Sequence, residues 1–196
     1  MKRLVDLVLA GLSFVILLPF YGAIAVAVRV DSPGPILHHA RRVGLGGHLF
    51  TVFKFRTMAS DAASGSAITQ AKDPRITRVG RVLRRWKLDE LPQIWNVVRG
   101  DMSFVGPRPE DPRFVLRYTP EQRDVLSVRP GITGPSQLVF REEERLLDTD
   151  DPETTYIRDI LPRKLLIDLE YARRHNLLDD MRILVQTLLS SAGGTS

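Results

Sequence analysis

Hydrophobic side chains fill almost every position of residues 4–28, and the pattern then changes to short alternating and helical segments. Asp6 and Pro19 are the main interruptions of this apolar run. As a straight helix the run would be about 40 Å long, and the hydrocarbon core of a bilayer is only about 30 Å thick. The pattern therefore predicts a membrane helix over residues 1–30. A cleaved signal peptide is disfavoured because the run is too long and lacks a small-residue cleavage site.

The charges that flank this helix indicate how it enters the membrane. Cationic side chains lie at both ends of the apolar run, namely Lys2, Arg3, Arg29, Arg41 and Arg42. Cation-rich flanks stay in the cytoplasm, so both ends are predicted to face it. Pro19, near the centre, removes one backbone hydrogen bond and opens the helix on its N-terminal side. These features are compatible with a re-entrant helix, and the residues alone leave this and a single-span anchor equally open.

Residues 31–196 predict one small α+β domain. Two alternating stretches, residues 36–43 and 48–56, flank a glycine-rich turn and predict a short β-hairpin. Residues 59–74 are small and polar without apolar periodicity, which predicts a loop. Helical periodicity then marks several amphipathic segments suited to a membrane interface, one over residues 75–87 and two within residues 161–191.

The composition adds a charge bias to this picture. The chain has 28 Lys and Arg residues against 23 Asp and Glu residues, which gives a formal net charge of +5. This excess predicts a polyanionic partner, and nucleic acid, nucleotide phosphates and anionic lipid headgroups all qualify. The chain contains no cysteine, which excludes disulfides, a thiol nucleophile and a cysteine-based zinc site.

The candidate chemistry lies at two adjacent carboxylates, Asp89 and Glu90. Pro92 suits the first turn of a helix, so the pair is predicted to lie at the positive end of that helix. Cationic side chains just upstream favour the ionised form of both acids further. An ionised carboxylate in this position can bind a metal ion or attack phosphorus. An ordinary helix start with acidic residues in its first turn, and no catalysis, is the alternative interpretation.

Two cations on the predicted hairpin are candidates for binding substrate. Lys54 and Arg56 are two positions apart on the second strand, so their side chains are predicted to project to one face. A substrate phosphate or the carboxylate of Asp89 could meet them there. A solvated strand face that carries two cations is the alternative, and the two residues alone do not decide between these interpretations.

Three further residues are candidates downstream of the acidic pair. The backbone around Arg108 is stiffened by Gly106, Pro107 and Pro109, which lowers the entropic cost of aiming its guanidinium at a phosphate. Arg108 is therefore the leading candidate for a diphosphate clamp. A tight turn near residue 130 presents Arg129 and Gln137, the other two candidates for substrate binding.

Four blocks of sequence follow one another in a characteristic order: KFRTM, RITRVGRVLRR, KLDELPQIWNVVRGDMSFVGPRP and VRPGITGPSQ. Together they resemble the bacterial sugar transferases that are small monotopic phosphoglycosyl transferases. The resemblance runs from the N-terminal apolar segment almost to the C-terminus. Two departures stand out. The family commonly has Ser before the membrane Pro where this chain has Leu18, and it often has Ala where this chain has Ser136, which leaves the sugar unspecified.

The resemblance implies a specific reaction and a re-entrant membrane hairpin. The chain would transfer a sugar 1-phosphate from a UDP-sugar to a polyprenol phosphate, such as undecaprenyl phosphate, and release UMP. Asp89 would be the nucleophile of a ping-pong route through a covalent phosphosugar intermediate. Glu90 would assist, and Mg²⁺ held by Asp89 and Glu90 would neutralise the diphosphate.

The resemblance also implies where the chain works. It would sit monotopically in the bacterial inner membrane, at the cytoplasmic face and in contact with lipids, and start the assembly of a membrane glycoconjugate. A homodimer is left open. A membrane-tethered nucleic-acid binder and a noncatalytic scaffold are the rival functions. The first is disfavoured because the sequence has no recognised DNA-binding module and no aromatic platform beyond Trp86 and Trp95, so nucleic acid is not expected as a partner.

Overall fold

A computed structural model describes residues 1–59, 68–70 and 73–192, with only the backbone at residues 191 and 192. Residues 60–67 and 71–72 of the predicted loop lie outside the described residues. The helices are α1 (Lys2–Asp31), α2 (Arg78–Arg85), α3 (Gln93–Arg99), α4 (Pro112–Val115), α5 (Pro135–Val139), α6 (Glu143–Leu146), α7 (Pro152–Thr155), α8 (Leu161–Arg174) and α9 (Leu177–Ala192). The strands are β1 (Leu37–Val43), β2 (Leu49–Phe55), β3 (Ser103–Val105) and β4 (Gly131–Thr133).

Two small sheets confirm the predicted α+β class. Strands β1 and β2 form an antiparallel hairpin, in which Leu37 lies opposite Phe55 and Val43 opposite Leu49. A 3₁₀ turn over Leu45–Gly47 joins them, as the glycine-rich connection predicted. Strands β3 and β4 pair in parallel and form the second sheet of the described residues.

Helix α1 is a single element of 30 residues that contains Pro19 without a break. The predicted opening at Pro19 is therefore not seen, because the flanking turns keep their own backbone hydrogen bonds and carry the helix across the proline. By length and composition α1 is long and apolar enough to cross a membrane. Whether it re-enters or spans the membrane stays a prediction of the sequence.

One face of α1 packs along the globular domain, and the rest of its surface exposes apolar side chains. Ala10 is fully buried against Val52 of β2 and Val97 of α3. Near the other end, Val28 packs with Phe55. The exposed apolar side chains of α1 include Leu12, Val15, Ile16, Leu18 and Phe20. The helix thus contributes to the protein core and offers an apolar face to a bilayer.

The C-terminal helices form the second half of the core. The largest buried cluster lies where α8 meets α4 and α5, and it includes Phe114, Phe140, Tyr156, Leu161 and Leu165. Helix α9 packs Ile183 inward and exposes Leu178, Val185, Leu188 and Leu189. The predicted amphipathic character of both helices is confirmed, and their contact with the membrane interface stays a prediction.

Asp168 of α8 is a buried acid inside this core, with 4% of its surface exposed. Its carboxylate accepts a hydrogen bond from the hydroxyl of Ser136 at 2.8 Å. Burial raises the pKa of Asp168 to about 6, although the Ser136 bond and the positive charge of Lys164 oppose the shift. The folded protein therefore keeps a proton on this carboxyl group that the unfolded chain releases at lower pH.

We expect this proton to make stability fall with rising pH. Below an unfolded pKa of 3.8 the carboxyl is protonated in both states, and the folded state binds more protons between that value and about 6. The free energy of unfolding should therefore drop by about 3 kcal/mol across this window. Asp168→Asn should remove that part of the slope in denaturant titrations between pH 4 and 7. Parallel stability profiles for the two proteins would contradict the assignment.

Candidate active site

A tight reversal of the chain presents the two candidate carboxylates. Helix α2 ends at Arg85, and Lys87 adopts a left-handed backbone conformation with φ of 55°. A 3₁₀ turn over Leu88–Glu90 follows, and α3 starts at Gln93 directly after Pro92. The prediction of a helix start just beyond the acidic pair is confirmed. Both acids are buried, with 8% of Asp89 and 7% of Glu90 exposed.

Strand β2 brings Lys54 to this turn. The amide of Asn96 in α3 donates to the carbonyl of Thr51 at 2.7 Å and accepts from the backbone N–H of Phe53 at 3.2 Å. These bonds hold β2 alongside α3, because Asn96 is fully buried and its bonds have no competition from water. Lys54 Nζ consequently lies 2.8 Å from Glu90 Oε1.

The segment after β3 brings Arg108 to the same carboxylate oxygen. Its guanidinium Nη2 lies 3.1 Å from Glu90 Oε1, and Nη1 donates to Gln137 Oε1 at 3.0 Å. The backbone at Gly106 packs too closely for a side chain, since an added Cβ would lie 2.4 Å from the carbonyl oxygen of Arg129. The structure thus brings together four of the candidate residues, Glu90, Lys54, Arg108 and Gln137.

The two acids have opposite electrostatic environments. Burial opposes ionisation of Glu90, but the charges of Lys54 and Arg108 outweigh it and hold the pKa of Glu90 well below its usual range. Burial and the charge of Glu90 together raise the pKa of Asp89. Lys54 offsets part of that rise. The sequence-based expectation that both acids favour ionisation therefore holds for Glu90 and is wrong for Asp89.

The pKa values of the two cations, Arg108 and Lys54, are also shifted within this site. Arg108 has its pKa raised, chiefly by the negative charge of Glu90. Burial lowers the pKa of Lys54, and the attraction of Glu90 opposes this. Glu90 therefore acts as the fixed anion that keeps two cations in place, while Asp89 is the less ionised neighbour.

Asp89 retains an acceptor that a ligand can use. Its Oδ1 is buried and has no hydrogen-bond partner among the described residues. An unpaired buried carboxylate oxygen is unfavourable, and a cation or a substrate group would relieve it. No group of three His, Cys, Asp or Glu residues within the described ranges could hold a metal ion. The residues therefore fit a hard cation that takes one or two carboxylate oxygens here and the rest of its ligands from substrate and water.

Two predicted binding residues lie elsewhere. Arg56 follows the last residue of β2, and its guanidinium donates to backbone carbonyls at the end of α1, with Ser32 at 2.8 Å. These contacts lie at the end of α1, whereas Lys54 contacts Glu90, and the common face of the two cations stays a prediction. Arg129 is exposed and donates to the carbonyl of Gly100 at 3.0 Å.

Sequence reasoning did not identify two residues that shape this site. Asn96 was recognised only as part of a helix, although its amide fixes the strand that carries Lys54. Arg84 was counted only among the upstream cations, and it donates to Thr57 at 2.9 Å. Its charge lowers the pKa of Asp89. A polar residue on the apolar face of a short helix was the available signal for Asn96.

Comparison with known proteins places this geometry in context. The family model described as bacterial sugar transferase matches residues 1–193. The chain is 42% identical over 198 residues to the UDP-glucose:undecaprenyl-phosphate glucose-1-phosphate transferase of Xanthomonas campestris pv. campestris, covering 98% of this chain and 39% of that protein. It is 35% identical over 198 residues to the exopolysaccharide production protein PSS of Rhizobium leguminosarum bv. phaseoli, covering 97% and 94%.

A third relative is the UDP-N-acetylgalactosamine-undecaprenyl-phosphate N-acetylgalactosaminephosphotransferase of Aeromonas hydrophila, 36% identical over 191 residues. That match covers 95% of this chain and 42% of the relative. The chain thus spans well under half of the Xanthomonas and Aeromonas proteins and nearly all of the Rhizobium protein. Given the family match over residues 1–193, this chain belongs to the bacterial sugar transferase family.

Proposed function

We propose that this chain transfers a sugar 1-phosphate from a UDP-sugar to undecaprenyl phosphate or a similar polyprenol phosphate. The products are the polyprenyl-diphosphate sugar and UMP, and the reaction starts the assembly of a membrane glycoconjugate. The observation that carries the proposal is the buried pair of acids, in which Glu90 holds Lys54 and Arg108 beside an unpaired oxygen of Asp89. The substrate classes come from the names of the relatives, which are UDP-sugar:undecaprenyl-phosphate transferases.

The chemistry would proceed in two displacements at one phosphorus atom. An oxygen of ionised Asp89 attacks the phosphorus that bears the sugar, and the bond from this phosphorus to the bridging oxygen breaks. UMP leaves with that oxygen, and the sugar phosphate stays on Asp89. A phosphate oxygen of the polyprenol phosphate then attacks the same phosphorus and releases the carboxylate of Asp89.

The neighbouring side chains suit this route electrostatically. Lys54 and Arg108 lie at the acidic pair and can accept a diphosphate as a second anionic partner. Arg108 presents a planar fork of donors that fits phosphate oxygens, with Gln137 orienting its other nitrogen. Burial raises the pKa of Asp89. A metal ion bound beside it would add positive charge and so favour its ionised form.

Magnesium fits the same acids. Asp89 would hold it through its unpaired oxygen, and Glu90 would contribute from the adjacent position. Bound Mg²⁺ neutralises phosphate charge. Lys54 and Arg108 already occupy Oε1 of Glu90, so Glu90 would contribute through its other oxygen.

The placement of α1 supports a monotopic enzyme on the cytoplasmic face of the bacterial inner membrane. Near its start, Arg3 donates to the carbonyl of Val97 at 2.6 Å, and at its end Asp31 accepts from the N–H of Val79 at 2.9 Å. Both ends of the helix therefore contact the same globular domain. A straight helix that crossed the bilayer would put its ends on opposite sides, so these contacts argue against a full span and favour an anchor whose two ends stay on one side of the membrane. The acceptor phosphate would then meet Asp89 at headgroup height.

Asp89→Asn should abolish turnover, because the neutral amide cannot form the acyl phosphate. We expect at least a thousandfold loss of UMP release from UDP-sugar in the presence of undecaprenyl phosphate. The intact mass should also show no phosphosugar adduct when the acceptor is omitted. Asp159→Asn changes an exposed acid of the same type and should behave as wild type. Robust turnover by Asp89→Asn would exclude the proposed nucleophile.

Glu90→Gln should slow the reaction without unfolding the protein. The amide keeps the shape of the side chain but removes the charge that holds Lys54 and Arg108, so we expect turnover to fall by about tenfold to a thousandfold. Thermal unfolding should confirm that the domain stays folded. An unchanged rate would show that the two cations do not depend on Glu90 for their position.

Single cysteines in this cysteine-free chain can test the topology. One inserted next to Met1 and one replacing Ala40 should both react with a membrane-impermeant maleimide from the cytoplasmic side of sealed vesicles. A cysteine in place of Leu18, which is exposed beside Pro19, should be protected from both sides by the bilayer. Labelling of the two ends from opposite sides would establish a spanning helix instead.

A further inference from the structure

The first turn of α1 is held by a buried polar cluster formed by Lys2, Tyr171 and Asp180. Lys2 Nζ forms an ion pair with Asp180, lies 3.2 Å from the hydroxyl of Tyr171 and donates to the carbonyl of Val105 at 3.0 Å. The Tyr171 hydroxyl lies 2.6 Å from Asp180 and 3.1 Å from the Val105 carbonyl. All three donors of the ammonium group therefore have a partner in the globular domain.

This cluster is largely shielded from water, so its polar atoms depend on one another as hydrogen-bond partners. Tyr171 is 8% exposed and Asp180 is 4% exposed, while the Lys2 side chain is 29% exposed. Burial and the hydrogen bond to Asp180 raise the pKa of Tyr171, so its hydroxyl stays a donor. Removing the ammonium group would leave the Tyr171 hydroxyl as the remaining shared donor, and its single proton cannot satisfy both the carboxylate of Asp180 and the carbonyl of Val105.

Val105 is the last residue of β3, and the chain from there to Arg108 has little freedom. The backbone N–H of Gly106 donates to Thr133 at 2.9 Å, and the carbonyl of Pro107 accepts from Gly131 at 2.8 Å. The backbones are in close contact, since a Cβ on Gly131 would lie 2.1 Å from the nitrogen of Gly106. Pro107 also has a fixed φ. Residues 105–108 therefore move nearly as one rigid segment, and a shift at Val105 also displaces Arg108.

We propose that Lys2, Tyr171 and Asp180 are positioning residues for Arg108, acting through the carbonyl of Val105. The docking of the first turn of the membrane helix then sets the place of the guanidinium that binds the donor diphosphate. A chain whose helix start is detached keeps its acidic pair but holds Arg108 in a less favourable position. The expected change in KM rests on the proposed function. The coupling between Lys2 and the segment that carries Arg108 does not depend on it.

Lys2→Met keeps the length of the side chain and removes the donors. In the full chain in nanodiscs, we expect KM for UDP-sugar to rise by about tenfold, the effect of losing one charge-assisted bond, with a smaller change in kcat. Lys2→Arg should restore most of the affinity. Tyr171→Phe, which removes the hydroxyl alone, should raise KM in the same direction and serves as the second variant if Lys2→Met does not fold.

Arg3→Met is the matched control. It removes the same charge from the next residue, but Arg3 bonds to the carbonyls of Val97 and Val98 in α3 and not to β3. Its KM for UDP-sugar should stay within about twofold of wild type, because its hydrogen bonds go to α3 and not to the segment that carries Arg108. An equal rise in Arg3→Met would mean that general loosening of the helix explains the effect, and the inference would fail.

A double-mutant cycle with Arg108→Met separates action through Arg108 from any other route. If Lys2 acts through Arg108, Lys2→Met should change KM by less than about twofold in the Arg108→Met background. Full additivity of the two effects would overturn the inference. Wild-type KM in Lys2→Met would overturn it as well.

Amide hydrogen exchange gives a readout that needs no turnover. Lys2→Met should speed exchange in residues 103–108, and Arg3→Met should not. If the wild-type protein releases no UMP from any UDP-sugar, the proposed function fails, and the exchange pattern alone decides whether the coupling exists. Unchanged exchange over residues 103–108 in Lys2→Met would refute the coupling even in an active enzyme.

Discussion

A single carboxylate oxygen, Oε1 of Glu90, is shared by Lys54 at 2.8 Å and Arg108 at 3.1 Å. Each of these three groups would be unfavourable if buried alone, because removing a charge from water costs several kcal/mol. Together they join strand β2, the turn before α3 and the segment after β3 at one point. The remaining elements serve this arrangement: Asn96 holds β2 against α3, and the backbones around Gly106 fix the approach of Arg108.

Secondary-structure elements that are determined by neighbouring residues in the chain could be predicted from the sequence. The hairpin follows from alternation around a glycine-rich turn, and the start of α3 follows from Pro92. Arg108 could be singled out because Gly106, Pro107 and Pro109 stiffen the backbone around it, whereas the contact of Lys54 with Glu90 depends on how β2 packs against α3. The contacts of Arg56 with the carbonyls at the end of α1 could not be predicted from its spacing to Lys54, because they depend on how α1 packs against the hairpin.

The protonation of Asp89 depends on tertiary structure in a way that sequence could not reveal. Helix-end and neighbouring-cation effects favour an ionised acid and are visible along the chain. Burial and the adjacent negative charge act in the opposite direction and prevail. Their size depends on how deeply the turn is enclosed, which is set by β2, α2 and Arg108 together. For the same reason, the raised pKa of Asp168 could not be predicted from the periodicity of α8.

The contact between Lys2 and Asp180 joins residues 178 positions apart, and that separation has a consequence for biosynthesis. Helix α1 leaves the ribosome before Asp180, which holds its start and is made 178 positions later. Synthesis at about 5–20 residues per second leaves the apolar helix without this partner for roughly ten seconds or more. Its exposed apolar surface must reside in lipid or on a chaperone during that interval. Docking of the helix start is thus a long-range step of folding that cannot precede the synthesis of α9.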